Sequence, residues 1–151
     1  MINKFLFFIV LFSYYANAQM SINEMKAILK MDLDKFETYA LNKGYGFSNI
    51  KDDENTYGYT YIKVTESATK FITLYEKYFD EHKCLIYQTE IKSEYLLIKK
   101  QLIESGFKLF FEKNFKGSIV KKYTNNTHVV TLVNGLNRGY DTYEISISKS
   151  K

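Results

Sequence analysis

The sequence predicts an α+β fold, a two-layer sandwich in which an antiparallel sheet carries helices on one face. Helical patterns precede each of two groups of strand patterns, and the strand patterns are short, β-branched and aromatic, with polar turns between them. Such runs are typical of antiparallel meanders. The helices are expected to cover one side of the sheet, because each layer buries its apolar face against the other.

Two capping residues mark the first helices. Ser21 is followed three residues later by Glu24, the capping-box arrangement, and Asp32 is a second candidate cap. We expect a helix after each cap. The second helix should end at Gly44, where glycine can adopt a left-handed conformation.

The first group of strands follows Gly44. The clearest pattern is Tyr57–Val64, whose odd positions place Tyr57, Tyr59 and Tyr61 on one face, with Ile62 and Val64 on the other. The other strands of this group are expected over residues 45–50, 71–79 and 84–90.

The second half repeats this order. Ser93 is expected to cap a helix that runs to about Ser105, and Gly106 to end it. The residues from Asn134 to Gly139 are predicted to form a glycine-containing turn. Strands are expected over residues 107–112, 118–123, 128–134 and 142–148.

The two halves, residues 19–91 and 92–151, therefore look like diverged copies of one helix-plus-meander unit. The two helix-ending glycines, at 44 and 106, lie 62 residues apart. The alternative is a chance echo, since any helix-then-meander protein shows a similar order.

The element order resembles the architecture of the beta-lactamase-inhibitor-protein family, a tandem of helix-plus-four-strand units. The likeness lies in element order alone, so it implies a layout and carries over no binding residue. The Lys-, Asn- and Tyr-rich composition, without Pro or Trp, and the Ala-Gln junction at Ala18 resemble exported proteins of flavobacterial type. That resemblance implies a compartment and no activity.

Residues 1–18 are predicted to be a signal peptide. Lys4 precedes the apolar run Phe5–Phe12, and the segment ends in Ala16-Asn17-Ala18. A transmembrane anchor is the alternative, but the run is about half the roughly 20 residues that a bilayer requires. We therefore expect an exported protein, periplasmic or secreted, without stable membrane insertion after cleavage. Residues 19–151 are expected to form one domain.

Composition narrows the function classes. Cys84 is the only cysteine, so no intramolecular disulfide is possible. Residues 92–151 carry eleven basic and five acidic residues, a net charge of +6. Arg138 is nevertheless the only arginine, and arginine provides most base and phosphate recognition, so nucleic-acid binding is not expected.

No catalytic or metal-binding motif stands out, and no cofactor is expected. His82 lies in a polar turn, and Cys84 precedes Leu85 and Ile86, as a core residue would. The acidic run Asp52-Asp53-Glu54 is typical of a solvated loop. Carboxylate pairs remain possible, since they assemble only in three dimensions.

Two features suit binding better. The rings of Tyr57, Tyr59 and Tyr61 lie on the open face of the sheet if Ile62 and Val64 face the helices, and tyrosine is enriched in interfaces. Alternatively, the rings face the helices and fill the core, or they only pair across neighbouring strands. Arg138 and the glycines of its turn could hold an anion, or simply shape a hairpin.

The sequence therefore favours an exported, non-catalytic binding protein that uses the open face of an antiparallel sheet to bind a protein, a peptide or an envelope polymer. One alternative is a small secreted hydrolase in which His128, Glu90, Glu112 and Asp141 converge in a pocket. Another alternative is an inhibitor or immunity-type protein, which would bind through the same kind of surface as in the first hypothesis and would differ only in its partner.

Overall fold

The computed structural model describes residues 19–77, 82–137 and 140–150. This part of the chain contains three helices and eight strands, and it confirms the α+β class. The helices are α1 (Ile22–Ile28), α2 (Leu33–Asn42) and α3 (Lys92–Glu104). The strands are β1 (Gly46–Asp52), β2 (Thr56–Val64), β3 (Thr69–Lys77), β4 (Lys83–Thr89), β5 (Lys108–Phe115), β6 (Ser118–Thr124), β7 (His128–Asn137) and β8 (Tyr140–Lys149).

All eight strands form one antiparallel sheet in the order β1-β2-β3-β4-β8-β7-β6-β5. Each half of the chain forms a four-stranded meander, and the two meanders join where β4 pairs with β8. In this seam Cys84 lies opposite Ser148 and Thr89 opposite Tyr143. The predicted sheet is therefore continuous, with β1 and β5 as its outer edges.

The described helices pack on one face of this sheet, as expected. Buried side chains of neighbouring strands align on that face, so Tyr61, Ile72, Tyr87 and Ile145 form one cross-strand row. The helices add the rest of the core, chiefly Met25, Ile28, Phe36, Ile98 and Leu102. The opposite face carries the alternate residues of each strand and has no helix of the described residues on it. We call it the open face.

Capping was predicted correctly for the first two helices. Ser21 Oγ accepts the Glu24 N–H at 3.1 Å, and Asp32 Oδ1 accepts the Lys35 N–H at 2.9 Å.

The prediction that Ser93 caps α3 is wrong. The helix begins at Lys92, and its cap residue, Ile91, makes no side-chain capping bond. Ser93 therefore lies within the first turn, which directs Glu94 into the core.

Both helix-ending glycines were also predicted correctly. Gly44 has φ of 78° and Gly106 has φ of 76°, the left-handed region that suits glycine. After each glycine an aromatic residue is buried and donates its N–H back to the helix, from Tyr45 to Ala40 O and from Phe107 to Leu102 O. These pairs anchor the first strand of each meander to the helix before it.

Three sequence assignments shift or fall outside the described residues. The turn predicted from Asn134 is corrected, because β7 continues to Asn137. Arg138 lies outside the described residues, as does the predicted signal peptide at residues 1–18. Within the described part of the chain, no helix combines the length and apolar character needed to cross a bilayer.

Candidate functional site

The tyrosine row does not lie on the open face, so the structure matches the alternative in which the rings face the helices and corrects the placement on which their assignment as binding residues depends. Tyr61 is 1% exposed, and its ring packs edge-on against Phe36 of α2 at a centroid distance of 5.4 Å. Tyr59 is half-buried against the same core. Tyr57, near the start of β2, donates its hydroxyl hydrogen to Glu76 at 2.8 Å.

Register explains why the rings face the helices. Tyr61 lies opposite Ile72, and Tyr59 lies opposite Leu74. The face that carries the tyrosines is thus the face that is apolar in β3, whereas Gly58 and Thr60 offer little area to bury. Because helices pack where the most apolar area can be removed from water, the tyrosine face is covered.

The four residues of the hydrolase hypothesis are not brought together. His128 pairs with Lys149 at one end of β7, while Asp141 pairs with Leu136, eight residues further along that strand. At about 3.3 Å per residue, that separation is about 26 Å. Glu112 lies on the edge strand β5 in an ion pair with Lys121.

Cys84 is poorly suited to nucleophilic chemistry. It lies on the open face of β4 beside the seam, and burial raises the pKa of its thiol to about 11. A thiol with so high a pKa is overwhelmingly protonated near neutral pH, and the thiolate is the reactive form. Cys84 is therefore a half-buried structural residue, as its apolar neighbours in the sequence suggested, and it does not have the properties of a catalytic nucleophile.

The open face instead contains a pocket of about 200 Å3. Its floor crosses β3, β4, β8 and β7, where Phe71 lies opposite Gln88, Gln88 opposite Glu144, and Glu144 opposite Val133. Residues from the ends of the neighbouring strands complete the wall. The lining comprises Thr69, Phe71, Gln88, Thr89, Glu90, Ser118, Val133, Gly135, Thr142, Tyr143 and Glu144. We call this site the open-face pocket.

Small residues leave room for the open-face pocket. Gly135 has no side chain, and a Cβ there would stand 2.5 Å from Ser118 Oγ. These two lining residues can therefore lie close together. Elsewhere on the same face the Tyr75 ring lies over Gly58, where a Cβ would meet the ring at 2.6 Å. At Gly135 the neighbouring group is the small Ser118 side chain, which fills less space than the Tyr75 ring fills over Gly58.

Hydrogen bonds hold the polar side chains of the pocket in place. Glu90 Oε2 accepts the Thr69 N–H at 2.8 Å, and Glu144 Oε2 accepts from Gln88 Nε2 at 2.9 Å. The pocket thus combines an aromatic ring, hydroxyl groups and two positioned carboxylates, a mixture of apolar and polar groups typical of binding sites.

Comparison with known proteins adds no relative. No family model, curated protein or solved structure matches this chain. The interpretation therefore rests on the geometry of the chain itself.

No motif in the sequence predicts the open-face pocket. All four floor residues, Phe71, Gln88, Val133 and Glu144, belong to predicted strands and had no assigned binding role, and Gln88 and Glu144 come from strands that are distant in the sequence. Alternation along β8 did place Glu144 on the wet side of the sheet, and that was the available signal. Among the described residues, no group of three or more His, Cys, Asp and Glu side chains could hold a metal ion.

The outer strand β5 is a second exposed apolar feature. Every residue of β5 is exposed, and four of them are large and apolar: Leu109, Phe110, Phe111 and Phe115. Lysines at 108 and 113 lie on the same strand, and charged residues on an edge discourage pairing with another strand.

Proposed function

We propose that this chain is an exported, non-catalytic binding protein that uses the open face of its sheet, with the open-face pocket as the contact site. The observation that carries the proposal is a formed pocket of about 200 Å3 on the face that the described helices leave uncovered. The tyrosine row takes no part in this proposal, because Tyr61 and Tyr59 pack against the core and Tyr57 is hydrogen-bonded to Glu76.

The size of the pocket supports a macromolecular partner. Pockets that enclose drug-sized ligands measure about 300–1,000 Å3, and this one is smaller. It has room for one side chain or one sugar ring that protrudes from a larger partner. The strands around it supply a broad surface for the remainder of such a partner.

The chemistry of the lining supports binding over catalysis. Ser118 stands beside Gly135 and Thr142, and the two histidines of the chain do not line the pocket. Nucleophilic catalysis by serine needs an adjacent base, which these neighbours do not supply. An inhibitor or immunity-type role uses the same surface and differs only in the identity of the partner.

The experiment is a quantitative pull-down from the native envelope and culture supernatant. Phe71→Ala and Val133→Asp alter the pocket, and Ile103→Ala is the matched control, since Ile103 is exposed on α3. We expect a partner captured by the wild type and the control to be lost with both pocket variants, while circular dichroism shows all four proteins folded. Equal capture by all four proteins would refute the proposal.

We also infer that the open sheet arose by duplication of one helix-plus-meander unit. A 62-residue offset relates Gly44 to Gly106 and also relates the two β-bulges, at Phe47/Asn49 and at Leu109/Phe111. The same offset relates buried Tyr61 to buried Tyr123. Agreement of a turn, a bulge and a core residue supports shared ancestry more strongly than element order alone.

A further inference from the structure

We propose that the open-face pocket receives a cationic side chain, lysine or arginine, of a partner polypeptide. This inference rests on the proposed function and specifies its ligand chemistry. It starts from the charges of the pocket: Glu90 and Glu144 contribute two carboxylates, and among the residues that the structure describes no Lys, Arg or His lines it.

The two carboxylates are available to a ligand. Within the described part of the chain neither forms a salt bridge, whereas Glu24, Glu94 and Glu112 are each paired with a lysine. A carboxylate has about four lone-pair positions, and one protein hydrogen bond to each leaves the others free. The bonds from Thr69 and Gln88 fix the carboxylates without neutralising them.

The aromatic ring of the floor fits the same ligand. Phe71 lies opposite Gln88 and two strands from Glu144, so a cation over its ring would also be near a carboxylate. Attraction between a cation and an aromatic face adds about 0.5–1 kcal/mol at exposed sites. The hydroxyl groups of Ser118 and Thr142 can accept the remaining N–H bonds.

The negative charge of the pocket contrasts with the positive net charge of the chain around it. The chain as a whole carries a net charge of +4, and residues 92–151, which supply β5 to β8, carry eleven basic and five acidic residues, a net charge of +6. That net charge favours an anionic ligand, whereas the two carboxylates make the described lining of the pocket negative. A basic side chain is therefore the group that this site favours over its surroundings.

The test is a titration followed by amide NMR, with three capped tripeptides as probes: Gly-Lys-Gly, Gly-Arg-Gly and Gly-norleucine-Gly. We expect the first two to shift the amides of Thr69, Gln88 and Glu144 and the third to leave them unchanged. Glu90→Gln and Glu144→Gln should each weaken binding of Gly-Lys-Gly about three- to fivefold, as befits partly exposed charge pairs. Glu104→Gln is the control, since Glu104 is an exposed carboxylate on α3, and it should leave binding unchanged.

The other possible outcomes of the titration distinguish the cation inference from the proposed binding function. If norleucine shifts the same amides as lysine, the cation inference fails and a side-chain pocket on the open face stands. If spermidine binds and the lysine peptide does not, the pocket takes a free polyamine and the polypeptide source is wrong. If no probe shifts the pocket amides, the cation inference is refuted, and the pull-down decides the proposed function alone.

Discussion

Tyr61 of β2 packs its ring edge-on against Phe36 of α2, with centroids 5.4 Å apart and the two planes at 87°. This contact fixes the orientation of the whole sheet. Once Tyr61 faces α2, alternation along β2 sends Thr60 and Ile62 to the open face. The helix-covered side thus takes the Tyr61 and Tyr59 rings, and no helix of the described residues covers the other side.

Truncation of Tyr61 tests this orientation. Tyr61→Ala removes a ring that is 1% exposed, and the free energy of unfolding should fall by about 3–5 kcal/mol, as for other large buried side chains. Tyr140→Ala is the control, since Tyr140 is 71% exposed, and it should change stability by less than about 0.5 kcal/mol. Urea unfolding followed by circular dichroism measures both. Equal, small losses would place Tyr61 on a solvent-exposed face.

The buried ion pair between β3 and α3 should be sensitive to loss of one partner. Lys70 Nζ lies 2.5 Å from Glu94 Oε1, and both residues are buried. Glu94 also accepts hydrogen bonds from Tyr87 and Thr89. Lys70→Met leaves the carboxylate without its cation, so we expect a loss of about 3–5 kcal/mol in urea unfolding.

The double variant Lys70→Met/Glu94→Gln separates charge from packing. Because no unpaired charge remains buried, we expect it to be more stable than Lys70→Met alone. If the double variant is as unstable as the sum of the two single variants, the two side chains act independently and the ion pair is not the cause.

The close approach of Tyr75 to Gly58 gives a third prediction. A Cβ at position 58 would lie 2.6 Å from the Tyr75 ring and 3.1 Å from Leu74 O, so Gly58→Ala should cost about 1–3 kcal/mol. Tyr75→Thr in the same chain should recover part of that loss. Gly46→Ala is the control, since its Cβ would meet nothing closer than 3.9 Å, and thermal unfolding should show it near the wild type. A neutral Gly58→Ala would mean that the ring does not lie over this strand.

Cys84 provides a prediction on pH. Burial, and secondarily Glu144, raises the pKa of its thiol to about 11, so the folded protein holds the neutral thiol at pH 8. Alkylation by iodoacetamide, followed by mass spectrometry, should therefore accelerate about tenfold per pH unit from pH 8 to pH 10. In urea the thiol should titrate near its ordinary pKa of about 8.5. A rate in the folded protein that levels off below pH 9 would contradict the burial of this thiol.

Local signals in the sequence were enough to predict the elements. Ser21, Asp32, Gly44 and Gly106 each act within a few residues of their own position, so capping and stop rules identify them directly. The prediction that Ser93 caps a helix was wrong because the neighbouring residue, Glu94, forms a buried ion pair with Lys70, which lies 24 residues earlier in the chain. That long-range contact takes precedence over the local capping preference.

Long-range contacts determine which face of β2 packs against the helices and which residues form the open-face pocket. A local sequence pattern does not predict such contacts. Both faces of β2 are partly apolar, and only its register with Ile72 and Leu74 decides which one meets the helices. The pocket requires Gln88 to pair with Glu144, a contact between strands 56 residues apart in the chain. A sequence pattern can predict that each residue is in a strand, and it cannot predict that they are neighbours.

Site-specific photo-crosslinking tests most directly whether the open face is the working surface. A photoreactive phenylalanine analogue would replace Thr131, on the open face of β7, or Leu96, which is exposed on α3. On irradiation in the native envelope fraction, we predict a discrete higher-mass adduct from position 131 and none from position 96. An adduct from position 96 alone would place the partner on the helix side and contradict this account.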